Sequence, residues 1–150
     1  MTDHSKSEAR LAAVEALYLH QMDDAKKKPQ EAVADVLYCY DNSQPLPKPH
    51  KNFLYDIVQG VLAHQENLDA VISQHLMENW RLERLGIVVQ SILRAATFEL
   101  AHEKTIPLKV IVNEYVNVAH SFCDDQETRF VNGILDRIAA HLRADEHSSQ

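Results

Sequence analysis

Residues 87–103, IVVQSILRAATFELAHE, constrain the fold more than any other part of the chain. Val88, Ile92, Leu93, Ala96 and Leu100 recur at three- and four-residue steps, the spacing that puts side chains on one face of a helix. Val89, Ala95 and Phe98 widen that face round most of the circumference. A helix so apolar cannot lie in water, so it belongs in the middle of a fold with other helices packed round it.

The rest of the chain supplies those helices. Ser5 and Glu8 form an S-x-x-E capping box, and Leu11, Val14, Leu17, Tyr18 and Met22 follow at helical spacing. The lysine run 26–28 closes this helix at its negative dipole end, or is a solvated loop, with an RNA patch as the third reading. Pro29 suits the first turn of a second helix carrying Val33, Val36, Leu37 and Tyr40. Residues 41–50, DNSQPLPKPH, are a loop held extended by alternating prolines. A third helix turns Phe53, Leu54, Ile57, Val58, Val61 and Leu62 inward, and Asn67 caps a fourth that carries Leu68, Ile72 and a structural His75. After the connection 80–85, Gly86 precedes the central helix. Thr105 and Pro107 open a sixth helix with Tyr115, Val118 and Phe122, and the polar stretch 123–128 breaks it. Phe130, Val131, Ile134, Leu135 and Ile138 mark the last helix. No segment alternates with the period of two that a strand requires. The expectation is an all-α protein of about seven helices. Residues 7–143 form one domain, between a flexible N-terminus over 1–6 and a flexible tail over 144–150.

Several chemistries lack their residues. Nine histidines form no H-E-x-x-H and no pair four apart, and two cysteines form no C-x-x-C, so neither a metal nor a cofactor is expected. Three scattered glycines cannot build a phosphate loop. His120 and Cys123 stand three apart as a nominal base and nucleophile, but an idle thiol suits them better. Asp23–Asp24 and Asp124–Asp125 read as helix caps. The N-terminus has no apolar run, and no stretch approaches the roughly 20 apolar residues of a membrane span, so a cytoplasmic location is expected. A net charge of −7 argues against a general nucleic-acid binder, allows a local RNA contact, and suits a basic protein partner.

Four segments, in order, resemble the NusB family. EARLAAVEALYLHQ is similar to its first helix, A-R-x-x-A-x-Q-A-L-Y, and RLGIVVQSILRAATFEL to its central helix. IPLKVIVNEYVNVAHSF followed by RFVNGILDRIA is similar to its C-terminal signature, I-N-E then F-V-N-G-V-L-D. The resemblance covers most of residues 8–140, loosely over 24–52. It implies two packed helical subbundles and no catalysis. The implied role is transcription antitermination: binding boxA-type single-stranded RNA together with the ribosomal protein NusE, and loading antitermination complexes on RNA polymerase at ribosomal RNA operons. The alternative keeps the fold and makes the chain mainly a protein-binding module or homodimer with weak RNA binding. A helical enzyme is a third class without a site constellation to support it.

The resemblance also implies site residues. Lys6 and Arg10 stand in the family's basic N-terminal motif, and Arg129 and Phe130 precede V-N-G. These four are the RNA-binding candidates. Phe130 either stacks a base or is a core residue. Tyr18, Glu83 and Arg94 match positions at the NusE contact, though Arg94 serves equally well in an internal ion pair. Asn113, Glu114, Asn132 and Asp136 read as structural polar groups, each with a hydrogen-bond partner, and Gly133 as a close-packing position. This chain departs from the pattern at three points. Asp3 and Glu8 offset Lys6 and Arg10, Glu15 replaces a glutamine, and Val89 replaces an acid expected to touch NusE. Fewer phosphate contacts imply weaker or more partner-dependent RNA binding.

Overall fold

The computed structural model describes residues 4–23, 28–40 and 46–144. Its helices are α1 (His4–Met22), α2 (Pro29–Tyr40), α3 (Lys48–Ala63), α4 (Gln65–Gln74), α5 (Ile87–His102), α6 (Leu108–Phe122) and α7 (Asp125–Leu142). A single 3-10 turn, Leu82–Arg84, lies between α4 and α5. No strand is formed among the described residues.

The seven helices make two subbundles. Helices α1, α2 and α3 pack on one another, while α4, α6 and α7 gather round α5. Helix α5 also takes the packing of α1 and α3, so it is the core shared by both groups. Every residue from Val89 to Thr97 is buried, as are Glu99 and Leu100, in keeping with its apolar circumference. Ile92, Leu93 and Leu100 are wholly enclosed, and truncating any one of them to alanine removes about 2–5 kcal/mol.

Helix ends follow local chemistry, with some shifts from expectation. Helix α1 starts at His4, so Ser5 lies inside the helix and three of the residues expected to fray are helical. Helix α1 stops at Met22, ahead of the lysine run; Lys28 sits at the start of α2, where its N–H donates to the Glu31 carboxylate at 3.2 Å. Residues 24–27 and 41–45 lie outside the described residues, as do 1–3 and 145–150; of the loop expected over 41–50, residues 48–50 are instead the first turn of α3. Asn67 is not the cap of α4. His64 is both the last cap of α3 and the first of α4, and Asn67 falls within the following turn. The break after α6 is Cys123–Asp124 alone. The Asp124 carboxylate accepts from the Glu127 N–H at 2.7 Å and the Glu127 carboxylate accepts from the Asp124 N–H at 3.1 Å. This reciprocal box starts α7 four residues earlier than a break over 123–128 allows.

The C-terminal carbonyls of α5 have an unusual partner. Arg143, just past α7 and buried, donates from Nε to Leu100 O at 2.9 Å and from its Nη atoms to Glu103 O and Ile106 O, both at 2.5 Å. One guanidinium so satisfies the Leu100 carbonyl that the helix end leaves open and ties it to the connection that follows, and its charge opposes the negative dipole end.

Two glycines divide the packing roles otherwise than expected. A Cβ on Gly60 of α3 would stand 2.2 Å from the Phe98 ring of α5, so Gly60 is where two helices approach closely. A Cβ on Gly133 of α7 would meet only Arg137 Nη1, at 3.8 Å, an ordinary contact. Gly133 is therefore not a close-packing position.

Candidate functional site

The expected RNA residues fall on two elements with opposite surroundings. On α1, Arg10 is 2% exposed. Its Nε and Nη2 grip the two carboxylate oxygens of Glu99 at 2.8 and 3.0 Å, and Nη1 reaches Glu114 Oε1 at 2.9 Å. Tyr115 donates its hydroxyl to the same Glu99 carboxylate, and Ser7 donates to Glu114 at 2.5 Å. Burial works against the charge of Arg10, yet the hydrogen bond and charge of Glu99 outweigh it and hold the guanidinium more firmly protonated than usual. Burial likewise pushes the Tyr115 hydroxyl well above its ordinary range, and the neighbouring Glu99 charge adds to the effect. Arg10 thus joins α1 to α5 and α6 from the inside. Arg10 was expected to contact RNA; the structure instead encloses its guanidinium between two carboxylates and leaves it almost no surface. Lys6 stays nearer the surface, its ammonium 5.3 Å from the Phe53 ring centroid, with Arg10 on the same ring at 5.2 Å.

On α7 the arrangement is open. The capping box starts the helix so that Arg129 is exposed and Phe130 is half-buried, its inner side packed on the core. Phe130 stacks on Trp80, with centroids 5.5 Å apart and planes 19° from parallel. Trp80 is 50% exposed. Phe130 is thus partly a core residue, while its other edge belongs to a surface aromatic pair. Trp80 was absent from the sequence candidates. An aromatic in a polar connection between helices was the available signal.

The expected partner residues divide similarly. Val14, Glu15, Tyr18 and Leu19 of α1, with Val88 of α5 and Phe122 of α6, line a groove of about 370 Å³. Tyr18 sits in it half-exposed, and Phe122 is 43% exposed. Glu83 is exposed on the 3-10 turn that leads into α5. Arg94 is buried, and its Nε and Nη2 clasp both Asp69 oxygens at 2.8 and 3.0 Å while Nη1 donates to Gln21 Oε1 at 2.9 Å. Gln21 passes a bond to Gln90, which donates to Leu85 O at 2.7 Å. Of the two readings of Arg94, the internal ion pair is the one present; it steadies the turn that carries Glu83. Val89 is buried too, so it is not a partner-facing position; Val88 faces the groove in its place.

Of the four polar residues expected to be structural, Glu114 has that role, accepting from Arg10 and Ser7. Asn113, Asn132 and Asp136 are exposed. The buried acid is instead Glu99, a charge within the most apolar segment and legible there as an exception that needed partners. Burial pushes the Cys123 thiol up, helped by Glu127 and Asp124, which works against a thiolate nucleophile. His75 is half-buried, its Nδ1 2.9 Å from Val71 O and its ring 5.1 Å from that of His141. Among the described residues no group of three or more metal-ligating side chains forms, and no helix is long and apolar enough to cross a membrane.

An all-α bundle of two such subbundles is a fold with known members. The structure superposes on NusB of T. maritima with a TM-score of 0.82 at 30% identity, covering 95% of this chain and 96% of that one. It also shares the fold of the NusB chain in a complex of the antitermination factors NusB and NusE with double-stranded RNA, with a TM-score of 0.81 at 24% identity over 93% of this chain and 99% of that one. The NusB family description matches residues 7–140. Among curated proteins, the transcription antitermination protein NusB of Rhizobium rhizogenes is 42% identical over 149 residues, spanning 96% of this chain and 91% of that protein. The NusB of Rhodopseudomonas palustris strain BisB5 is 41% identical over 143 residues, 92% of this chain and 80% of that one. The chain belongs to the NusB family.

Proposed function

We propose that this chain is a transcription antitermination factor that binds boxA-type single-stranded RNA together with the ribosomal protein NusE. Its work is recruitment: it helps load antitermination complexes on RNA polymerase at ribosomal RNA operons, in the cytoplasm, without making or breaking a bond. The observation that carries the RNA half is the Trp80–Phe130 stack, half open to solvent and next to the exposed Arg129. Unpaired bases stack on such rings, while cationic side chains hold the phosphates. The protein half is supported by the apolar groove at Tyr18, with Glu83 on the neighbouring turn to suit a basic partner. The unit that does this is one NusB-type domain over 7–143.

Lys6 keeps its place in this reading as a rim contact, whereas Arg10 and Arg94 act from the interior by fixing α1 against the α5 core. With the N-terminal arginine withdrawn, RNA affinity rests on α7 and leans on the partner. The same groove, with Phe122 and Leu19 exposed at its edge, favours a homodimer as the second reading. Fluorescence anisotropy with a labelled boxA-type RNA, with and without NusE and at two salt concentrations, tests the reading. Preference over a scrambled RNA, strengthened by NusE, is expected. Equal binding of both RNAs with NusE present would defeat it.

A further inference from the structure

Gly133 has no evident reason to be glycine. It lies in the middle of an 18-residue helix, where glycine destabilises by about 0.5–1 kcal/mol relative to alanine. No helix approaches it, and the nearest atom to a Cβ there would be Arg137 Nη1 at 3.8 Å. Gly60 differs, because the Phe98 ring occupies the space of its missing side chain. Gly133 is part-exposed, and space for a side chain stands unfilled beside it.

Its neighbours indicate what fits there. Arg129, Gly133, Arg137 and His141 follow at four-residue steps, so they form one ridge along α7. Phe130, one turn before Gly133, carries the stack with Trp80. Arg137, one turn after, is exposed, and its Nη2 donates to His75 O at 3.2 Å. That bond holds the guanidinium beside the glycine and leaves its other donors open. Among the described residues no carboxylate pairs with Arg129 or Arg137, in contrast to the buried Arg10 and Arg94. Asn132 and Asp136 are exposed as well; Asp136 stands three positions after Gly133, so its carboxylate borders the ridge on one side.

We propose that Gly133 and Arg137 form a nucleotide seat beside the Trp80–Phe130 stack. The sugar-phosphate backbone of the RNA strand comes down onto the bare helix at Gly133. Arg137 holds a phosphate there, and the adjoining base lies on the aromatic pair. The proposal rests on the RNA-binding reading above and extends its site by one turn of α7.

The test uses the full chain with NusE, a labelled boxA-type RNA, and the variants Gly133→Ala, Gly133→Leu, Arg137→Ala and Phe130→Ala. Thermal unfolding comes first. Gly133→Ala is expected to raise Tm by about 2–4 °C, as a helix gaining a better former does. A fall in Tm for Gly133→Ala would mean that the glycine serves packing, and would overturn the proposal. RNA affinity is expected to drop about tenfold in Gly133→Leu and about fivefold in Arg137→Ala, on the scale of one lost contact. The salt slope of Arg137→Ala should shrink by about 0.7, as for one phosphate on a single strand. If Phe130→Ala loses RNA while the Gly133 and Arg137 variants bind as the parent does, the seat is wrong and the RNA reading stands. If Phe130→Ala also binds as the parent does, both fail.

Discussion

Arg10 and Arg129 come from the two segments that the family resemblance assigns to RNA, yet the fold treats them in opposite ways. Arg10 is enclosed by Glu99, Glu114 and Tyr115 and spends its charge on joining α1 to the core. Arg129 stands in solvent at the start of α7, beside an aromatic pair. Matching a family position does not settle a residue's role; whether a counter-charge lies behind it does. Here a glutamate at position 99 turns a nominal RNA arginine into a structural one.

The largest effect that would break this contrast comes from the counter-charge. Glu99→Ala leaves Arg10 with Glu114 alone and strips Tyr115 of its acceptor, so stability in urea should fall by about 3–5 kcal/mol. Arg10→Ala should destabilise comparably. In the folded fraction, its salt dependence of RNA binding should match that of the parent. A reduced salt slope would return Arg10 to the RNA surface. Replacing Arg10 and Glu99 together by apolar residues should cost less than either single change, because no charge is then stranded.

Next in size is the surface side of the comparison. Trp80→Ala and Phe130→Ala should each weaken RNA binding by about 1–3 kcal/mol, the range for loss of a base stack. Trp80→Ala should leave the unfolding midpoint nearly unchanged, since half of that ring is already in water. Anisotropy and thermal melts on the same preparations separate the two effects.

A smaller pair of opposite sign concerns the glycines. Gly60→Ala must displace the Phe98 ring and should destabilise by about 1–3 kcal/mol as an overpacked site, whereas the same change at Gly133 should stabilise by about 0.5–1 kcal/mol. Chemical denaturation of both variants checks the signs.

The smallest effect is in alkali. The Tyr115 hydroxyl is held above its ordinary range by burial and by Glu99. Its contribution to stability is therefore complete below about pH 10, the unfolded value, and is lost as pH rises beyond that. Tyr115→Phe should flatten the fall of Tm above pH 10. An unchanged slope would mean that another group dominates.

Much of this architecture was readable in advance, because periodicity reports which face of a helix is apolar. The central position of α5, the stripes of α3, α6 and α7 and the Asp124 cap all follow from residue spacing. The site was less legible. Periodicity says that a position is inside, but it does not say that a charge inside has partners 89 positions away, as Arg10 and Glu99 are. The Trp80–Phe130 pair also joins a loop to a helix far along the chain, and no local pattern encodes it. Asn113, Asn132 and Asp136 were hard to place for the converse reason: they lie among apolar neighbours in sequence but on the outward strip of the helix.

The clasp of Arg143 on the end of α5 has a consequence for the order of events during synthesis. The chain is made from its N-terminus, and Leu100 precedes Arg143 by 43 positions. As α5 leaves the ribosome its Leu100 carbonyl lacks the guanidinium that it accepts from in the folded protein, and it waits for Arg143 until α6 and α7 have followed. The helix that organises both subbundles, the fifth of seven in order of translation, is therefore the last to be finished.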